Sequence, residues 1–552
     1  VADADARLAW LTGFTGSAGF AIVTADQAGV FIDGRYRVQV RSQIDLGHFT
    51  PVPWPETRSS AWLAEALPQG GRVGFDPWLH TRKEIAGMEG ALTDTGIALI
   101  ALDHNPVDAI WPDRPAPPVG PARIHPDAIA GESAAQKRAR LATDLKAQGQ
   151  AAALLTLPDS ISWLLNIRGS DLPKNPVVQS FAVLSDSGGL ALFADPAKFE
   201  ADLRAHLGNH VHILPHDALA AALTDLEGPV RLDPGSAPEA AFRILEAAGT
   251  TVVAGPDPAV LPKARKNAAE LSGMRSAHHR DGLAMVRLLA WLDRQDPAAL
   301  SEIDVVRQLE GLRRDQGILD ISFDTIMGAG PNGAIVHYRV TEATNRRLAA
   351  GDLLLIDSGG QYADGTTDIT RTVPLGDPRP DAVGPFTAVL RGMIALSRAR
   401  FPTGVTGGHL DALARQFLWS QGLDYDHGTG HGVGAALCVH EGPARISDVP
   451  LEPGMILSNE PGYYREGSFG IRIENLIVVT QADAEPGRQM LGFDTLTLCP
   501  IDRRLIDRAA LSADDVAWLD AYHAQVRISL SPDLQGQDLD WLTAATEPLG
   551  QV

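Results

Sequence analysis

Cysteine is almost absent: Cys438 and Cys499 are the only two in 552 residues. That count excludes a disulfide framework and suits a reducing compartment, so a cytoplasmic location is expected. No apolar run approaches the ~20 residues needed to span a bilayer, which argues against membrane insertion. Basic residues are also short, since 47 Lys and Arg face 68 Asp and Glu for a formal charge of −21. Such a chain is repelled by phosphate backbones and anionic lipids, so neither nucleic acid nor membrane is an expected partner. The glycine-rich "GFTGSAG" (13–19) lacks the Lys-Ser/Thr ending of a phosphate loop and reads as a structural turn.

What is present is a globular composition, 45% hydrophobic and 21% charged, on a chain long enough for several cores. Seven prolines between residues 105 and 133 mark an extended linker, and "AGPDPAVLPKARKNAAE" (254–270) marks a second boundary. The expected domains are 1–120, 121–265 and 266–552. The first two share an order: Trp-Leu, a glycine-containing turn, then two apolar strands, as in 7–36 and 160–199. This predicts a duplicated α/β domain. The helix and strand that precede the second Trp-Leu (135–165) have no counterpart before Trp10, so the first copy reads as lacking them; the chain opens on Val1 rather than Met. The third domain begins with a helical stretch that puts Leu271, Met274, Met285, Leu288 and Trp291 largely on one face.

The chemistry-bearing residues lie in the last third. "DLLLIDSGGQYADGTTDITRTV" (352–373) predicts an apolar strand ending at Asp357, a glycine turn, and a second strand where Asp368, Thr370 and Thr372 share a face. "LEPGMILSNEPGYY" (451–464) runs a short strand into Glu460. "FGIRIENLIVVT" (469–480) alternates strictly, which sets Ile471 and Ile473 on one face and Arg472 and Glu474 on the other. Each feature alone also fits an ordinary strand end or turn. Together, Asp357, Asp368, Glu460 and Glu474 cannot cluster without cations, whereas two divalent ions balance four carboxylates and leave a neutral imidazole. Oxygen-rich ligation favours Mn²⁺, Co²⁺ or Fe²⁺ over a thiolate zinc site, with Mn²⁺ preferred and Zn²⁺ possible.

"DHGTGHGVGAALCVHEGP" (426–443) supplies the imidazole. His427 and His431 stand four apart, the spacing of a helical zinc pair. Gly428, Gly430, Gly432 and Gly434 would each cost a helix about 1 kcal/mol, so an extended segment is expected instead.

The ordered motifs "IDSGGQYADGTTDITRTV", "HGTGHGVG", "VHEGP", "SNEPGYY" and "GIRIEN" resemble those of the pita-bread metallopeptidases, most closely the three-domain Xaa-Pro aminopeptidases. The resemblance extends from "WLTGFTGSAG" through "AIVHYR" to "LGFDTLTLCPIDRRLID", nearly the whole chain. It implies two creatinase-like α/β domains, then an α+β pita-bread catalytic domain. It implies Asp357, Asp368, His431, Glu460 and Glu474 as ligands of two metal ions, with Asp368 and Glu474 bridging. His337 and His440 would stand beside the substrate and Arg472 near its far side, with His427 as a wall of the proline pocket. The implied reaction releases an N-terminal residue that precedes proline, through attack of a metal-bridging hydroxide with Glu460 shuttling the proton. In this scheme His440 donates to the oxyanion, and His337 serves the amide oxygen or the leaving-group side. A homodimer and peptide substrates are implied as partners. Cys438, where relatives commonly carry asparagine, reads as a packed thiol. Prolidase is the alternative, followed by a non-catalytic peptide-binding pita-bread module; the latter would be expected to have lost ligands, and none is lost here.

Overall fold

Asn267 starts the helix Ala268–Leu292 with a capping box: its side chain accepts from the Glu270 N–H, and the Glu270 carboxylate accepts from the Asn267 N–H. Met274, Met285 and Leu288 are buried on this helix as the periodicity predicts, while Leu271 and Trp291 are half-buried. The computed structural model describes residues 1–550. They fall into two units, Val1–Lys263 and a second from Ala264 onward.

Within the first unit the two α/β copies can be compared strand by strand. Residues 152–254 form a six-stranded mixed sheet in the order Val211–Leu214, Leu190–Phe193, Phe181–Ser185, Ala152–Leu155, Val230–Leu232, Val252–Ala254. Its Phe181–Ser185 hairpin partner is antiparallel, and the strand beyond is parallel. Phe20–Val23, Ala28–Ile32 and Thr50–Pro53 repeat that antiparallel-then-parallel pattern. The parallel pair Gly71–Phe75 and Ile97–Ala101 repeats Val230–Leu232 with Val252–Ala254. Ala152–Leu155, the strand that joins the two halves of the middle sheet, has no equivalent among the described residues of the first copy. The proline-rich stretch 105–133 is not wholly extended: Pro106–Ile110 is a short helix because Asn105 caps it and Pro106 tolerates the first helical position.

In the second unit, Ile326–Ala329, Leu353–Ser358 and Ile369–Pro374 form an antiparallel sheet. A six-stranded antiparallel sheet runs Phe401–Pro402, Met490–Thr495, Asn475–Ala482, Ile456–Asn459, His431–Gly432, Glu441–Arg445. Helices Pro380–Ser397 and Ala513–Leu530 share one apolar core through Phe386, Leu390, Met393, Leu519 and Val526. Ser512 and Asp515 form a capping box at the start of the latter. No helix of the described residues is long and apolar enough to cross a membrane.

The segment 469–480 departs from its expected single strand. Phe469–Arg472 pairs with Gly462–Arg465, whereas Asn475–Ala482 belongs to the six-stranded sheet. The chain breaks at Ile473–Glu474, because Glu474 N–H turns to Thr370 O, 3.1 Å away, instead of joining a ladder. Alternation records facing, not continuity, and here one alternating run serves two sheets.

Candidate metal centre

Three of the segments singled out above bring carboxylates together. In the 353–358 strand Asp357 lies opposite Thr370 of the 369–374 strand, and Asp368 immediately precedes that strand. Glu460 follows the 456–459 strand, and Glu474 occupies the break just described. All are set by neighbouring backbone rather than by one loop.

His431 arrives on a short strand with an irregular register: it stands opposite Arg445, whereas the next residue, Gly432, stands opposite Glu441. Such bulges re-aim side chains beside functional sites. The flanking glycines are required by close approach. A Cβ on Gly430 would lie 2.0 Å from Ser458 O, and one on Gly432 would lie 2.2 Å from Glu441 O. The segment is therefore tightly packed by its glycines.

Asp368, His431 and Glu474 present ligand atoms that all lie within 4.8 Å of one another. His431 Nδ1 donates to Gly432 O at 3.0 Å, which holds the ring so that Nε2 is turned toward the carboxylates. That nitrogen faces Asp368 Oδ2 at 3.5 Å and Glu460 Oε1 at 3.6 Å. An imidazole nitrogen set among carboxylate oxygens is a donor set that a divalent cation can satisfy. Asp357 Oδ1 and Glu474 Oε1 are buried without a hydrogen-bond partner. Orphaned oxygens of this kind are costly, and a bound cation is what satisfies them. The donor set therefore fits divalent metal ions.

The electrostatics point the same way. Burial, reinforced by Asp357 and Glu460, holds the Asp368 carboxyl well above its ordinary range. Burial and then Asp368, Glu460 and Asp357 do the same to Glu474. Glu460 is also raised, chiefly by burial, against the pull of His431 and Arg472. The remaining lone pairs are oriented from outside: Thr370 Oγ1 donates to Glu474 Oε2 at 2.8 Å, and Ser458 Oγ to Glu460 Oε1 at 3.2 Å.

Arg472 is fully buried and donates Nη2 to Asp357 Oδ2 at 2.5 Å and Nη1 to the Tyr464 hydroxyl at 2.5 Å. Tyr464 in turn meets His427 Nε2 at 2.9 Å, while His427 Nδ1 donates to Gly428 O. In that tautomer Tyr464 is the donor, so Arg472 donates both to Asp357 and to Tyr464, and Tyr464 donates on to His427. His440 is exposed, and its ring centroid lies 4.2 Å from that of His431. His337 is half-buried on the loop after Gly330–Ala334. Cys438 is half-buried and unbridged. Tyr464 and Arg371 escaped the sequence reading; each sits inside a quoted motif, but neither has the spacing of a ligand.

Residues 272–481 match metallopeptidase family M24, and 489–549 match the C-terminal region of that family. Residues 2–105 and 113–270 each match a creatinase/prolidase N-terminal domain. Aminopeptidase P2 of Arabidopsis thaliana is 40% identical, over all of this chain and 84% of its own length. The crystal structure of an X-prolyl aminopeptidase from Caenorhabditis elegans, described as a cytosolic enzyme with a di-nuclear active site, superposes with a TM-score of 0.95. It is 35% identical, with 100% of this chain and 93% of that one covered. An Xaa-Pro dipeptidase from Bacillus anthracis reaches a TM-score of 0.54 at 25% identity, and covers 67% of this chain against 99% of its own.

Proposed function

The chain belongs to the aminopeptidase P family, the Xaa-Pro aminopeptidases among the M24 metallopeptidases, and we propose that it releases the N-terminal residue from peptides whose second residue is proline. The observation that carries this reading is His431 Nε2 facing Asp368 and Glu460 beside the orphaned oxygens of Asp357 and Glu474. Asp357, Asp368, His431, Glu460 and Glu474 would hold two divalent ions, Mn²⁺ by preference. Bound there, the ions supply Lewis-acid polarisation of the scissile carbonyl and a nucleophilic water at neutral pH.

The chain's own groups do the rest. Glu460, the least buried of the four carboxylates, carries the proton from water to the departing nitrogen. Proline's nitrogen has no hydrogen in the peptide, so that delivery is required before it can leave. His440, exposed beside His431, donates to the developing oxyanion. His337 steadies the substrate amide oxygen or the leaving group. Arg472 holds Asp357 in place, and through Tyr464 it orients His427 as one wall of the proline pocket. Domain limits near residues 120 and 265, a homodimer and cytoplasmic residence complete the reading; its supports are the sequence punctuation and the likeness to the Caenorhabditis elegans enzyme.

The test compares an Xaa-Pro-Yaa tripeptide with an Xaa-Pro dipeptide after loading with Mn²⁺. Faster tripeptide cleavage is expected. Preferential dipeptide cleavage would instead assign a prolidase, and cleavage of neither by metal-loaded protein would assign a binding role.

A further inference from the structure

Glu474 stands where the chain leaves one sheet for another, and neither Ile473 nor Glu474 has a ladder partner. Their backbone groups must therefore be satisfied from elsewhere. The Glu474 N–H finds Thr370 O, and the Glu474 carbonyl accepts from Arg371 Nη1 at 2.7 Å. Arg371 is buried, and its guanidinium makes five further contacts. Nη1 donates to Thr370 O at 2.8 Å and Nε to Pro500 O at 2.9 Å. Nη2 donates to Asn475 Oδ1 at 2.8 Å, Cys499 O at 2.8 Å and the Tyr522 hydroxyl at 2.9 Å.

All six acceptors are uncharged, and three of them, Cys499, Pro500 and Tyr522, lie beyond the stretch that matches the M24 family itself. Tyr522 also fixes the turn that supplies the other two: its hydroxyl lies 3.0 Å from Thr497 O and 2.9 Å from Cys499 O, and accepts from Cys499 N–H. Arg371 thus joins the C-terminal segment to the backbone of both Glu474 and Thr370. Thr370 is the residue whose hydroxyl orients the Glu474 carboxylate.

We propose that the C-terminal segment acts as a positioning clamp on the metal centre: Tyr522 and the 499–500 carbonyls orient Arg371, Arg371 fixes the backbone of Glu474 and Thr370, and the affinity for divalent metal follows. The inference rests on the reading of Glu474 as a ligand. A planar guanidinium reaches acceptors on three chain segments at once, which a lysine ammonium cannot. Loss of such outer partners typically weakens metal binding about 10- to 100-fold.

The test uses the full chain, stripped of metal and titrated with Mn²⁺ alone while free Mn²⁺ is followed by electron paramagnetic resonance. Tyr522→Phe and Arg371→Lys are expected to raise the Mn²⁺ Kd about 10-fold or more. Leu519→Ala, on the same helix and fully buried but outside this network, is expected to lower Tm while leaving Kd within about twofold of the parent. Unchanged Kd in Tyr522→Phe, or an equal rise in Leu519→Ala, overturns the clamp. Glu474→Gln separates the two levels: if it binds Mn²⁺ like the parent, the ligand reading falls and the clamp with it. If Glu474→Gln is weakened and Tyr522→Phe is not, only the clamp falls.

Discussion

The Tyr338 hydroxyl donates to Glu302 Oε2 across 2.9 Å, which ties the residue after His337 to the first turn of the helix Glu302–Asp315. The same carboxylate accepts from Ala329 N–H at 2.8 Å, Arg346 N–H at 3.0 Å and Asn332 Nδ2 at 3.0 Å. Glu302 is fully buried, and burial pushes its carboxyl up although these donors pull it down. One side chain therefore organises the whole 329–346 loop.

Glu302→Ala strands the Ala329 and Arg346 N–H groups, while Tyr338 keeps Thr344 O and Asn332 keeps the Tyr338 hydroxyl, and a stability loss of about 3 kcal/mol is expected. Urea unfolding measures that loss. Because the loop carries His337, kcat/KM for an Xaa-Pro-Yaa tripeptide should fall in the same variant even under conditions where it is fully folded. Unchanged kcat/KM would remove His337 from the proposed reaction.

Lys266 and Glu441 form an ion pair in which both side chains are almost fully buried. Glu441 stands opposite Gly432, one residue from His431. Lys266→Met leaves the carboxylate buried without its cation and should cost about 3–5 kcal/mol. The double variant Lys266→Met/Glu441→Leu should recover most of this, since an apolar pair avoids the desolvation penalty. Guanidinium unfolding of the two proteins decides between pair and scaffold.

Asp257 offers a pH signature confined to the first unit. Burial, opposed by the Ala259 N–H and by Lys263, raises its carboxyl to about 7, and its Oδ2 has no hydrogen-bond partner. A raised acid binds its proton more tightly when folded. Its contribution to stability is therefore complete below the ordinary carboxylate value and is lost as pH rises through about 7. Asp257→Asn, whose Oδ1 still accepts from Ala259 N–H, should gain stability over the parent at pH 8 and lose that advantage near pH 4. Thermal scans at the two pH values check the sign.

On the proposed role of His427 as a pocket wall, His427→Ala should raise KM for the tripeptide about tenfold and change kcat less. Tyr464→Phe, which removes the hydroxyl between Arg472 and His427, should shift KM in the same direction. A fall in kcat with KM unchanged would move His427 from the pocket to the chemistry.

The sequence by itself determined several local elements and which residues carry ligand chemistry. The spacing of Ser512 and Asp515 announces their helix, because a capping box is local and its spacing is written in the chain. The strand alternation likewise marks Asp368 and Thr370, and the motif order marks His431 and Glu474, whose side chains meet in space. The duplication is legible too, because the repeated turn-and-strand pattern precedes any packing. Only the tertiary structure decided the break at Ile473–Glu474, where one alternating run is divided between two sheets by a hydrogen bond to Thr370. It alone decided that Gly430 and Gly432 serve close approach rather than looseness. It alone brought Arg371, Cys499 and Tyr522 together over as many as 151 positions of chain, with no spacing to betray them. Local signals follow from the period of a helix or strand; long-range contacts depend on how those elements pack, and a single sequence carries no periodic trace of that.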